Sequence, residues 1–173
     1  MRVIHEIEIT PTTVILDGQS IEVQETGEKM LVELYRRYVK DYPKFFKMDT
    51  LSRLGFIAAE LLLKDQPVDA VILANRSASI KNDTDYIATI SDGNYYPSPA
   101  LFVYTLPNIV TGEIAIRHHI QGETSFYILD TKEELEPIIL STLNASLSTL
   151  LAGWCECSQA NEFYAKLQII WNN

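Results

Sequence analysis

Three groups of residues carry side chains able to do chemistry. Cys155 and Cys157 are the only thiols in 173 residues, and C-x-C spacing on a strand sends both to the same face. Nothing else of metal-ligand type stands near them, so they suit neither a framework of disulfides nor a four-ligand zinc site. Cys155 lies in the apolar run Leu151-Ala152-Gly153-Trp154-Cys155, where a buried thiol stays protonated and inert. An acyl transferase or hydrolase built on this chain would have to depend on such a non-standard nucleophile. His118 and His119 precede Gly122 and read as exposed polar residues. Asp130-Thr131 is followed by Glu134. A hydroxyl there, with no histidine to take its proton, is a poor nucleophile at neutral pH. The same residues make better sense as a helix start, with Thr131 as N-cap and Glu134 three places on, a capping box at the positive end of the dipole. Pro137 sits deeper than the first turn, so the alternative is a helix that begins near Glu136 with Pro137 at its first position. These residue types call for no metal and no cofactor.

Charge narrows the partners. The formal net charge is −9, which disfavours nucleic acid because a phosphate backbone demands a positive footprint. Positive charge is nevertheless concentrated: Arg36, Arg37, Lys40, Lys44, Lys47 and Arg53 are six of the fourteen basic residues. They form either a solvated helix face or a landing strip for an acidic partner.

The elements that must position these groups follow from patterning. At 47% hydrophobic and 21% charged, the chain is expected to fold as one domain, residues 1–173. No apolar run approaches the ~20 residues a membrane span needs, and the N-terminus shows no secretory core, so a cytoplasmic protein is expected. Val3 to Ile9 alternates loosely, and Asp17-Gly18 separates the apolar runs that follow, which predicts a hairpin. Glu28 to Tyr42 places Met30, Leu31, Leu34, Tyr35, Tyr38 and Val39 at helical spacing, with Pro43 as the stop. Asp49 or Thr50 caps a second helix whose Leu51, Leu54, Ile57, Ala58, Leu61 and Leu62 form an apolar stripe. Val68 to Ala74 is nearly all apolar, as a parallel strand covered on both faces would be. A polar loop, NRSASIKNDTDY, then a turn at Ser91-Asp92-Gly93 lead to a strand at Ala100 to Tyr104. Thr124 to Leu129 predicts a strand, Lys132 to Leu150 a helix, and Leu151 to Cys155 and Tyr164 to Trp171 two more strands. The expected class is α/β, a mixed, mostly parallel sheet with helices on both faces.

The helix predicted over Lys132 to Leu150 has apolar residues in nearly every direction, among them Leu135, Ile138, Ile139, Leu143 and Leu147, and no charge beyond Glu136. A helix apolar all round is buried all round. This predicts that a second body covers it, either another copy of the chain in a homodimer or a different subunit.

Several motifs resemble a known family. NRSASIKNDTDY, then SPALFVYTLPNIVTGEIAIRHHIQGE, then LAGWCE, resemble the N-terminal half of the β-ketoacyl synthases, condensing enzymes of the thiolase-like fold. Short ketosynthase-like domains of bacterial polyene and fatty-acid-type pathways are similar. The likeness runs from about residue 44 to residue 157. It rests on Asn75, Arg76 and Ser77, on Ser98, Pro99, Thr105, Pro107, Asn108, Gly112 and Gly122, and on the LAGWCE strand.

The resemblance implies a thiolase-like half domain. In that family a cysteine thiolate at a buried helix N-terminus takes an acyl chain as a thioester, and two histidines from the second half assist decarboxylative attack by a malonyl carrier protein. Here the nucleophile position falls near Asp130 and Thr131, no cysteine lies there, and the histidine-bearing half has no counterpart in these 173 residues. The resemblance therefore implies a scaffold without its reactive centre, paired with itself or with a full-length ketosynthase. Arg36, Arg37, Lys40, Lys44 and Lys47 would be the place to receive an acidic acyl carrier protein.

Overall fold

The structure, a computed structural model, describes residues 1–64, 66–90, 93, 96–144 and 146–172. Its seven strands are β1 (Arg2–Ile9), β2 (Val14–Leu16), β3 (Gln19–Ser20), β4 (Ala70–Asn75), β5 (Thr124–Ile128), β6 (Thr149–Gln159) and β7 (Glu162–Trp171). They form one mixed sheet in the order β3-β2-β1-β7-β6-β4-β5. Asp17 and Gly18 both take positive φ, 49° and 76°, the type I′ geometry that closes the β2–β3 hairpin. The α/β class holds, but the expectation of a mostly parallel sheet does not. Only β4–β5 and β4–β6 are parallel, whereas β1–β2, β2–β3, β1–β7 and β6–β7 are antiparallel. Strand apolarity reveals burial on two faces and says nothing of partner direction, which here is decided by pairing residues as far apart as Arg2 and Trp171.

Helices cover both faces. On the first lie α1 (Gly27–Leu34), α2 (Thr50–Leu63) and α5 (Ile109–His118), over a core that includes Ile7, Leu34, Phe56, Leu73, Val110, Cys155 and Leu167. On the second lies α6 (Leu135–Thr142), over Ile72, Ala152, Trp154 and Ile170. Alternation along β6 explains the split: Leu151, Cys155 and Cys157 face one core, Leu150, Ala152 and Trp154 the other. Asp49 is the cap of α2, accepting from the Ser52 amide at 3.0 Å. The helix buried nearly all round is α2, where Arg53 and Glu60 alone escape burial.

Four sequence expectations are corrected. The first helix ends at Leu34 and continues as a π-turn over Tyr35–Val39, stopped by Lys40 at φ 69° before Pro43 is reached. Pro43 instead opens a 3-10 turn, and Tyr38 is half exposed. The loop NRSASIKNDTDY contains α3 (Ile80–Ile87), and the strand expected at Ala100 to Tyr104 is α4 (Pro99–Val103). Ser98 accepts from the Leu101 amide at 3.3 Å and Pro99 occupies the first turn, so a strong start signal overrides the β-propensity of Phe102 and Val103. The turn at Ser91-Asp92-Gly93 falls, apart from Gly93, outside the described residues.

The fourth correction concerns the helix expected to reach Leu150. It stops at Thr142, and Leu143 and Leu147 belong to the turn that follows, while Ala145 lies outside the described residues. Asn144 Oδ1 accepts from the Ser146 and Leu147 amides at 2.8 and 3.1 Å. Asp69 Oδ2 accepts from Ser148 and Thr149, both at 2.8 Å. Eleven residues then join β6 between β4 and β7, so long-range ladders outcompete local helical pattern. Leu135 and Ile139 are buried, Ile138 is partly so, and Leu140 is 52% exposed. The helix is wetted on one side, and the argument that it alone compels a second body, another copy or a different subunit, to cover it falls.

Candidate functional site

In open α/β sheets the chemical crevice lies at the carboxyl ends of strands whose connections leave over opposite faces. Here those strands are β4 and β5, whose outgoing chains return through α5 on the first face and α6 on the second. The Leu129 amide donates to the Asn75 carbonyl at 2.9 Å across their ends. Asn75 is fully buried, and its side chain both donates to the Ala78 carbonyl and accepts from the Ala78 amide, each at 2.9 Å. That pairing holds Ala78 at φ 50°. Glu156, the acid of LAGWCE, accepts from the Arg76 amide at 2.9 Å and from the Ser77 hydroxyl. The two motifs thus meet as a mutually satisfied turn.

At the end of β5, Asp130 and Thr131 are exposed. The Thr131 hydroxyl donates to the Glu134 carboxylate at 3.2 Å and caps no amide, so the expected capping box is not formed. A 3-10 turn, Lys132–Glu134, leads into α6, which begins at Leu135 with Pro137 at its third position, where a backbone N–H has no partner within the helix. Among the described residues the Thr131 hydroxyl has this carboxylate as its side-chain partner, a base far too weak to ionise an alkanol.

Gly122 has a steric reason: a Cβ there would stand 2.1 Å from the Asp69 carbonyl oxygen. Asn108 precedes α5, and its carbonyl accepts from the Thr111 hydroxyl at 2.8 Å and the Gly112 amide at 3.2 Å. Pro107 stands just ahead of it. The Thr105 carbonyl accepts from the Ser79 hydroxyl at 2.7 Å. Cys155 is wholly buried and its thiol is pushed well above the usual range by burial and then by nearby negative charge. Burial likewise lifts Cys157, to about 12. Neither is a thiolate at neutral pH.

The basic stretch divides. Arg37 pairs with Glu33 at 3.0 Å, Lys44 with the buried carboxylate of Glu113, and Arg53 donates to the Phe45 and Phe46 carbonyls at 3.2 and 3.0 Å. These three hold the fold. Arg36, Lys40 and Lys47 are exposed, and among the described residues no ion pair engages them. His118 is not the exposed residue the sequence suggested. Its Nε2 stands 2.8 Å from Glu60 Oε1, an ion-pair distance at an angle that makes no hydrogen bond, while Arg117 donates to the same oxygen at 3.1 Å. Burial pushes the Glu60 carboxyl up, but His118 and Arg117 outweigh it and hold the group below its ordinary range. Glu113 was not singled out from the sequence; it accepts from Tyr42 at 2.9 Å, and burial together with that carboxylate raises the Tyr42 phenol to about 12.

Neither a protein-family profile nor a curated protein matches the sequence. Solved structures do match in shape. A chain of the complex between a ketosynthase and its chain length factor from Xenorhabdus doucetiae superposes with a TM-score of 0.68 at 13% identity, over 99% of this chain and 79% of that one. A chain of the ishigamide ketosynthase/chain length factor gives 0.66 at 14% identity, over 98% of this chain and 61% of that one. At such identity the likeness speaks for the backbone. No helix of the described residues is long and apolar enough to cross a membrane. The chain has a ketosynthase-like fold, an α/β arrangement in which the described residues form one mixed seven-stranded sheet with helices on both faces.

Proposed function

We propose that this chain is a non-catalytic ketosynthase-like subunit that assembles with a full-length ketosynthase, in the manner of a chain length factor, in bacterial fatty-acid or polyene-type biosynthesis. What supports the reading is a ketosynthase-like fold in which Thr131, the residue the family resemblance puts nearest the nucleophile position, is exposed and, among the described residues, has its hydroxyl bonded to Glu134. Such a scaffold retains the backbone of a condensing enzyme and lacks an activated nucleophile. The test is co-expression with the ketosynthase of the same cell. A complex that elutes as one species, with malonyl-dependent chain extension requiring both chains, supports the reading. Full extension by the ketosynthase alone with the two eluting apart, or acyl-thioester turnover by this chain alone, overturns it.

A second reading is favoured by one observation. Arg36, Lys40 and Lys47 stay exposed and unpaired among the described residues in a chain of net charge −9. They suit the acidic surface of an acyl carrier protein, bound without chemistry. Reversing all three charges should weaken such binding at least tenfold at low salt and flatten its salt dependence. Unchanged binding removes this reading.

A further inference from the structure

α6 covers only part of the second face of the sheet. It is eight residues long, and beside it a groove of about 330 Å³ opens over β6, β7 and the start of β1. The walls are apolar: Leu135 and Ile139 from α6, Trp154 from β6, Ile170 from β7 and Val3 from β1. Side chains alternate along β7, so Ile170 faces this groove while Ile169 faces the core on the other side. Small-molecule sites span roughly 300–1,000 Å³. A space at the low end of that range suits one short aliphatic chain.

Charge is set at its rim. Lys132 and Lys166 line the groove, and water reaches both. The Lys132 ammonium lies 3.8 Å from the centroid of the Tyr164 ring, a contact that holds the cation in place without giving its N–H donors an oxygen. Among the described residues no carboxylate pairs with it. The Lys166 ammonium stands 3.8 Å from Glu6 Oε2, beyond hydrogen-bond length, and that oxygen already accepts from Gln168 at 3.0 Å. Glu136 also reaches the groove and, among the described residues, pairs with neither lysine. In a chain of net charge −9, two ammonium groups short of partners above apolar walls fit a ligand that is both apolar and negative.

We propose that this groove binds an amphiphilic organic anion, its short aliphatic chain laid against Ile139, Trp154 and Ile170 and its carboxylate or phosphate-ester head held by Lys132 and Lys166. Apolar surface withdrawn from water supplies affinity. The two charge-assisted contacts fix the head and discriminate against neutral and cationic amphiphiles of the same length. The site makes no use of the subunit assembly proposed above and stands or falls separately from it.

The test uses the full chain with Trp171→Phe, which leaves Trp154 in the groove wall as its one tryptophan, and sodium decanoate below its micellar concentration. Decanoate should shift the Trp154 emission saturably, with one site per chain by titration calorimetry. Butyrate, decanol and decyltrimethylammonium should each bind at least tenfold more weakly, the first for want of apolar area and the others for want of an anionic head. Lys132→Met with Lys166→Met keeps the apolar stems and removes both charges. Because water reaches both positions, the thermal melt should be unchanged, while decanoate affinity falls at least tenfold and its salt dependence flattens. Decyl phosphate run beside decanoate tells which head the lysines prefer, and tenfold selectivity of either anion over decanol supports the site. No saturable shift with either anion, whether the chain runs as a monomer or as a dimer closed over this face, overturns the proposal. Decanol binding as tightly as the anions, or decanoate affinity that survives the double substitution, overturns it too.

Discussion

Asp69 fixes the chain where it enters β6, and removing its carboxylate is the sharpest test of the structure there. In the folded chain one oxygen of Asp69 accepts from the Ser148 and Thr149 amides at 2.8 Å each and from the Ser148 hydroxyl at 3.2 Å. The Asp69 amide in turn donates to the Thr149 carbonyl at 2.7 Å. Asp69→Ala deprives two partly buried amides of a charged acceptor. Bonds to charged groups are worth about 1.5–3 kcal/mol each, and sharing one oxygen makes the pair less than additive, so the expected loss is about 2–4 kcal/mol. For a domain of this size that lowers Tm by roughly 5–15 °C. Asp69→Asn keeps a neutral acceptor and should lose about half as much. Circular dichroism melts measure the shift, and hydrogen exchange locates it at the amides of Ser148 and Thr149. An Asp69→Ala protein that melts within 1 °C of the parent, with both amides still protected, would refute the reasoning. It would mean that the entry into β6 does not depend on this carboxylate.

Three further outcomes are expected. Gly122→Ala places a carbon 2.1 Å from a backbone oxygen of Asp69, which has no room to give, so the variant should lose at least about 2 kcal/mol in urea titration. Glu60 ionises below its ordinary range when folded, so its contribution is fully present above the unfolded carboxyl value near ~4.3 and is lost as pH falls through the lower folded value. The stability gap between parent and Glu60→Gln should therefore be largest above about pH 5 and shrink in more acidic solution, and a gap that widens toward low pH would contradict the pairing. On α6, Ile139→Ala should cost about 2–4 kcal/mol while Leu140→Ala stays within about 1 kcal/mol, because the first is buried and the second half in water; equal losses would restore a helix buried on every side.

Much of the scaffold was legible from local signals. Asp17-Gly18 closes a hairpin because the pair accepts positive φ wherever it stands. Asp49 caps α2 and the unbroken apolar run of β4 lies buried on both faces, since each depends on its own neighbours. The candidate site was legible in composition: a hydroxyl and a carboxylate at 130–131 are what they are before any folding. What the residues there touch was not. Ser98 and Pro99 carried a helix-start signal that β-rich neighbours obscured, and α3 hid because its polar side points inward to a carbonyl supplied by α4.

The sequence by itself settled which segments are apolar and that Asp17-Gly18 closes a hairpin. Tertiary structure alone decided that β6 takes residues a helix would have claimed, that β1 runs antiparallel to β7, and that His118 meets Glu60. The physical reason is range. Capping, turn and periodicity energies are set within a few residues, whereas a ladder partner or an ion pair is chosen by the whole chain at once, and its cooperative free energy overrides any one local preference.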